Sequence, residues 1–235
     1  MARQPRLSLT GQLHHVLLRG HGQQPVFVDA QDRALFLELL AQHAPSLKVE
    51  LHAWTLMPDH IHLLLTPLRD GALSALVQAV GRVYVQAFNR RHGHRGSLWE
   101  GRYRSTVLEP DPWLLRAMVW MDSHPLRSGF TDQHGAHPWT SAAHYLGLQV
   151  ERAITVPPQF WALGNTPFAR EAAYRTLLEQ GSNAATCGAL AQAALKGWAL
   201  GSADFVAALQ AQSSRRLEKA QPGRPPRRGT VVAEE

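Results

Sequence analysis

Cysteine is almost missing from this chain. Cys187 is the only one in 235 residues. That excludes an intramolecular disulfide and any zinc site built from paired thiolates, and it suits a reducing compartment. Lysine is nearly as rare, with Lys48, Lys196 and Lys219 its only occurrences. No apolar run is long enough to cross a bilayer. The opening MARQPRLSLTGQLHH lacks the apolar core of a signal peptide. Together these absences describe a soluble, cytoplasmic protein with no membrane partner. No segment repeats at a fixed period, which excludes a solenoid or a propeller.

What is present is arginine. The net charge is +6 and the isoelectric point is about 10.1. Guanidinium meets phosphate through two parallel N–H bonds, which an ammonium cannot do. An Arg-biased basic surface therefore fits a nucleic-acid partner. A basic but inert surface is the alternative, and composition does not separate the two.

Hydrophobic periodicity organises the first two thirds. Gln12 to Leu18 reads as a strand. VFVDAQD opens a helix with Asp29 as its N-cap, and Leu35, Phe36, Leu39 and Leu40 repeat at helical spacing. Val49–Met57 and His60–Thr66 read as strands joined by Pro58-Asp59 into a hairpin. Leu73–His92 reads as a helix whose buried side is marked by Leu76, Val80, Val83, Ala87 and Phe88, closed by Gly93 and Gly96. Tyr103–Leu108 is a fourth strand, on which alternation sets Arg102 and Arg104 on one face. Pro110 to Asp122 is a further helix, ended by His124-Pro125 because proline disfavours helix in the residue before it. The order β-α-β-β-α-β-α predicts an α+β fold of the split βαβ, ferredoxin-like kind. Residues 149–212 carry two helical patterns, AREAAYRTLLEQG and GALAQAALKGWAL, and read as a helical appendage to a domain spanning 1–148. Residues 213–235, rich in Pro, Gly and Arg, read as a disordered basic tail.

The segment HIHLLL carries the chemistry. Side chains alternate across a strand, so His60, His62 and Leu64 share one face, while Ile61, Leu63 and Leu65 share the other and must meet the helices. Two imidazoles on one strand face can hold one metal ion. Two solvated histidines on an open sheet are the plainer reading. The hairpin is otherwise strongly hydrophobic, and the two histidines interrupt it together.

LHAWTLMPDHIHLLLTP resembles the metal-binding hairpin of the His-hydrophobe-His nucleases. Other stretches narrow the likeness to the REP-associated, IS200-like transposases with a single tyrosine. HHVLLRGHGQQPVFVDAQD is similar to that family's first strand and turn. AVGRVYVQAFNRRHG followed by GSLWEGRYRST resembles its second helix and fourth strand. VWMDSHPLRSG resembles the end of the tyrosine-bearing helix, and HPWTSAAHYLG its Trp-Ser-Ser stretch. The likeness covers roughly residues 9 to 148, and LGNTPFAREAAYRTLL looks like the C-terminal portion of some members. It implies a single-strand DNA endonuclease and strand transferase acting on hairpin DNA. In that chemistry a tyrosine hydroxyl attacks a phosphate, and a divalent metal ion, Mg or Mn, polarises it. Imidazole ligands make manganese at least as fitting as magnesium, which prefers oxygen. Monomer and homodimer both occur in such a family.

The same alignment puts Trp120 where the nucleophilic tyrosine belongs, and indole has no hydroxyl to attack with. His124 stands where the family usually has an amide that completes the metal site. Residues four apart share a helix side, so Trp120 and His124 would both face His60 and His62, giving a metal set of three histidines. Three readings stay open: a transposase-family protein that binds hairpin DNA without cleaving it; replacement of the nucleophile by Tyr84, Tyr103, Tyr145 or Tyr174; and a three-histidine site that activates water for hydrolysis. An RNA-binding ferredoxin-like domain would need exposed aromatics on the sheet face, where this sequence has His60 and His62.

For DNA contacts, Arg90, Arg91, Arg95, Arg102 and Arg104 cluster around Trp99 and Tyr103, a mixture of cations and rings that suits single strands. Trp99 also reads as a core residue. Arg224 lies in QPGRPPRRG, which resembles a minor-groove hook. His14 and His15 point to opposite faces of their strand and so do not read as a second metal pair.

Overall fold

The structure, a computed structural model, describes residues 7–133 and 137–218. Its elements are β1 (Leu13–Arg19), α1 (Ala30–Ser46), β2 (Val49–Leu56), β3 (His60–Pro67), α2 (Ala72–His92), β4 (Arg104–Leu108) and α3 (Pro110–Asp122). Short helices follow, α4 (His124–Arg127), α5 (Ala142–Tyr145) and α6 (Pro158–Trp161). The longer α7 (Pro167–Gln180), α8 (Ala184–Lys196) and α9 (Ala203–Ala211) complete the described chain. The four strands form one sheet in the order β2-β3-β1-β4, with every neighbouring pair antiparallel. This is the split βαβ arrangement expected from the element order, with β3 lying between β1 and β2.

Local chemistry sets the boundaries. The Asp29 carboxylate accepts the Asp32 N–H at 3.0 Å and starts α1, satisfying one of the donors a helix start leaves open. Gly93, at φ 63°, ends α2 in the left-handed conformation that glycine adopts without steric cost. Pro110 and Pro112 open α3, and Pro125 lies in the first turn of α4.

Both faces of the sheet are covered. Val16, Leu18, Trp54, Leu56, Ile61, Leu63 and Leu65 pack with α1 and α2 in one cluster. Leu13, Ala53, Leu64 and Leu108 pack on the opposite face with α3 and with Tyr145, Phe160, Tyr174, Leu178 and Leu190. α6, α7 and α8 thus share a core with α3 and the sheet, while Val206 and Leu209 of α9 pack with Leu7 and Val107 in a smaller cluster. Each fully buried Leu or Phe contributes roughly 1.5–3 kcal/mol.

Three expectations shift. On α2 the buried ridge runs Leu76, Val80, Tyr84, Phe88, a strict four-residue row, whereas Val83 is 41% exposed. One residue turns the helix by about 100°, which carries Val83 off the ridge. β4 begins at Arg104, so Arg102 does not share its strand face. Gly101, at φ 118°, breaks the extended run, and the bridge to β1's end is made by Trp99 to Gly20 instead. Within residues 213–218, Leu217 is fully buried with Leu7, Val107, Val206 and Leu209, while Ser214, Arg216 and Glu218 are exposed. The remainder of the basic tail, with Arg224, lies outside the described residues.

Candidate metal centre and nucleic-acid interface

β3 presents His60 and His62 on the face that α3 covers. The antiparallel hairpin aligns Thr55 with His62 and Leu56 with Ile61. Thr55 donates its hydroxyl proton to the Met121 carbonyl at 2.8 Å, tying β2 to the last turn of α3. That turn, with the α4 turn after it, carries Trp120 and His124 over the sheet.

The three histidines meet. One ligand atom from each of His60, His62 and His124 can be chosen so that all lie within 4.8 Å of one another. His60 Nε2 and His124 Nε2 are 2.8 Å apart. The His60 ring stands edge-on to His62 at 5.1 Å between centroids. Burial lowers the pKa of all three: His60 despite the opposing pull of Asp59, His62 well below its ordinary value, and His124 to about 3. Neutral imidazoles keep a lone pair, which a metal ligand requires.

Outer partners meet the Nδ1 atoms of His60 and His62. His60 Nδ1 lies 2.7 Å from the Asp59 carboxylate. An N–H donated there leaves His60 Nε2 as the lone-pair atom, the carboxylate–histidine arrangement common around metals. His62 Nδ1 lies 2.9 Å from His15 Nε2. With His62 Nδ1–H donating to His15, His62 Nε2 is likewise free to ligate. The proton of His15 then sits on Nδ1, an atom buried with no partner. His14 and His15 do point to opposite faces, as their alternation requires; His14 bonds Ser105 Oγ at 3.0 Å on the other side. The sequence reading missed His15: the β1–β3 pairing that the expected fold implies sets it diagonal to His62 in the register Leu17↔His62, His15↔Leu64. That pairing is the signal that could have found it, since diagonal neighbours on one sheet face are within reach of long side chains.

Trp120 is 6% exposed and packs on the cluster. Its ring is edge-on to His62 at 5.1 Å and to His15 at 5.5 Å, and stacks with His124 at 5.8 Å. The Arg127 guanidinium lies over the indole at 5.2 Å and donates to the Trp120 carbonyl at 2.6 Å. The four tyrosines are placed elsewhere. Tyr84 donates to the Val26 carbonyl, Tyr145 to the His52 carbonyl and Tyr174 to the Asp122 carboxylate, while the Tyr103 hydroxyl pairs with Ser74 Oγ. None of their rings contacts His60, His62 or His124 among the described residues.

The arginines divide. Arg91 is committed to the core side, pairing with Asp29 at 2.7 Å and with the buried Asp32. Arg90 and Arg95 are exposed at the far end of α2. Arg102 and Arg104 line a cavity beside the edge strand β4, and Arg104 donates to the Leu195 carbonyl at 3.3 Å. No helix among the described residues is long and apolar enough to cross a membrane.

The comparisons with known proteins bear on the fold and the family. A solved REP-associated tyrosine transposase bound to a REP hairpin shares the fold, at a TM-score of 0.54 and 13% identity over 68% of this chain and 93% of that one. A Deinococcus radiodurans R1 structure described as a transposase is 26% identical, over 57% of this chain and 100% of that one, at a TM-score of 0.37. No curated protein matches the chain. The family model described as "Transposase IS200 like" matches residues 9–113, the span from before β1 to the start of α3. Residues 9–113 are an IS200-like transposase domain.

Proposed function

We propose that this protein binds single-stranded hairpin DNA at a divalent metal centre of His60, His62 and His124, and that it forms no covalent link to the DNA because Trp120 occupies the nucleophile's place. The observation that carries the reading is the Trp120 ring itself, lying against His62 and His124 where a reacting hydroxyl would have to stand. The four tyrosine hydroxyls are held by partners away from the cluster, which speaks against a substitute nucleophile. The solved relative that shares the fold is bound to a REP hairpin, and arginine-rich surface is the matching electrostatic partner.

The donor set suits manganese or another borderline ion at least as well as magnesium, because three imidazole nitrogens converge and, among the described residues, no carboxylate joins them. Such an ion would polarise a phosphate oxygen and organise it for displacement. The chain's own residues do the rest. Asp59 and His15 hold two of the ligand rings in the ligating orientation. Trp120 and the covering α3 keep water from the buried side. Arg127 supplies positive charge beside the indole.

The test is a denaturing gel for a protein–DNA adduct. Labelled hairpins from the flanks of the gene are incubated with manganese and either the wild type or Trp120→Tyr. An adduct with Trp120→Tyr alone is expected. An adduct with the wild type would overturn the proposal. A cut strand with no adduct would assign water activation at the three-histidine set instead.

A further inference from the structure

The cavity beside β4 is built from both parts of the chain. Its volume is about 600 Å³, within the range of sites that hold small ligands. One wall is β1 and α2 of the IS200-like domain. The other is the end of α8, with Lys196 and Gly197, and Arg215 beyond α9. Six cationic side chains line it: Arg19, Arg82, Arg102, Arg104, Lys196 and Arg215. Among the described residues that line it, Glu100 is the one carboxylate. A solvated surface mixes both signs; this concentration of one sign selects an anion.

Two further features point to a nucleotide rather than a bare anion. Trp99 and Tyr103 stand among the cations. The Trp99 indole N–H is buried and has no acceptor, and Gly81 keeps the space beside it open, since a Cβ there would lie 3.7 Å from that nitrogen. A donor left without an acceptor costs free energy unless a ligand supplies one.

The cavity also sits at a set distance from the histidines. Leu17 pairs with His62 on one side and with Arg104 on the other. His62, Leu17 and Arg104 therefore form one row across three strands on the same face, spanning about 10 Å at the usual strand spacing. Arg19, which pairs with His60, reaches the cavity from the same end of β1. We infer that the cavity holds one unpaired nucleotide of the DNA strand whose neighbouring phosphate lies at the histidines. The cations take its phosphate, and its base lies against Trp99 and accepts the indole N–H. The inference rests on the DNA-binding reading above and adds to it the place of a specific nucleotide, outside the metal centre.

Fluorescence anisotropy with a labelled hairpin carrying a short single-stranded extension tests it, using the full chain. Each base of the extension is removed in turn to leave an abasic site. In the wild type, one position is expected to weaken binding about tenfold, the size of one base–aromatic contact, and the others little. Gly81→Leu, which fills the cavity, should erase that position dependence. Arg82→Ala, an exposed helix substitution, should reduce the slope of log affinity against log salt by about 0.7, one phosphate contact on a single strand. Arg82→Ala decides the matter alone if Gly81→Leu does not fold. An unchanged slope together with unchanged position dependence would overturn the inference. So would a wild type that binds no hairpin, which would remove the DNA-binding reading as well. If position dependence persists while His60→Ala and His62→Ala leave affinity untouched, the metal-centred reading fails and the cavity stands.

Discussion

Replacing Tyr174 by phenylalanine removes one oxygen atom from the most polar point of the second core. Asp122 is 2% exposed. Its two oxygens accept from Ser141 Oγ at 2.8 Å and from the Tyr174 hydroxyl at 2.7 Å. Burial pushes the carboxyl up to about 7, against the opposing pull of these two donors. At pH 8 the group is mostly ionised, and a hydrogen bond to a buried charge contributes about 1.5–3 kcal/mol. Phenylalanine keeps the ring packing against Tyr145 and Phe160, with centroids at 5.4 and 5.8 Å, so no cavity term is added. The expected loss is about 2 kcal/mol, or a fall in Tm of roughly 4–8 °C for a chain of this size. Urea unfolding followed by tryptophan fluorescence measures it, since Trp120 sits two residues before Asp122. Because Tyr174 lies on α7 and Asp122 ends α3, the loss should appear as one shifted cooperative transition. A change under about 0.5 kcal/mol, or a split into two transitions of which only one moves, would refute the argument that the C-terminal helices and α3 share one core.

Manganese at a hundredfold excess over its dissociation constant should raise unfolding free energy by about 2.7 kcal/mol, and His62→Ala should abolish that rise in a thermal melt. Arg91→Ala should lower the melting temperature, because it leaves the buried Asp32 with less compensation. The same variant should leave hairpin affinity within about threefold of wild type, since the Arg91 guanidinium is already paired with Asp29 and Asp32. Acid should destabilise the fold above the range in which ordinary surface carboxylates titrate. Burial lowers His14 from 6.5 to about 4, so between those values the unfolded chain binds a proton that the folded chain refuses, and stability falls as pH falls through that window. His14 contributes up to about 3 kcal/mol of this loss. Calorimetry at pH 5 should show about one proton fewer taken up on unfolding in His14→Gln.

The sheet and its flanking helices were legible because their information is local. Period-two alternation in HIHLLL, the Asp29 cap and the prolines at 110, 112 and 125 each act within a few residues, and the structure keeps them. What was not legible depends on pairing across the sequence. His15 reaches His62 only because β1 lies beside β3, a contact 47 residues apart. Asp122 finds Tyr174 at a separation of 52 residues. Arg91 counts equally as a DNA contact or an ion-pair partner until α1 and α2 are packed, and packing decides for Asp29 and Asp32. The charge of a residue is in the sequence, but its engagement is a tertiary fact. The cavity beside β4 combines both limits. Arg102 and Arg104 were visible as a basic pair, while Arg19 and Arg82 join them only when β1 and α2 pack beside β4, and Lys196 and Arg215 only when the C-terminal segments fold back over the sheet edge.

Trp120 shows the same division within a single side chain. Read in the sequence, it is a loss, because a hydroxyl is gone from the position where the family resemblance expects one. Read in the structure, it is also a contribution, because the indole contacts His15, His62 and His124 at 5.1–5.8 Å between ring centres and is roofed by Arg127. A ring that buries this much surface among ligand histidines helps hold them apart from water and in fixed orientation. In the function proposed above, the residue that would silence nucleophilic attack is thus also one that supports the histidine cluster. It follows that Trp120→Tyr changes two things at once, restoring a hydroxyl and shrinking the support. The adduct gel is therefore decisive only beside a melt in manganese. A Trp120→Tyr protein that retains the metal-dependent rise in stability yet forms no adduct would place the missing activity in the approach of DNA, at the arginines and the β4 cavity, and not in the nucleophile.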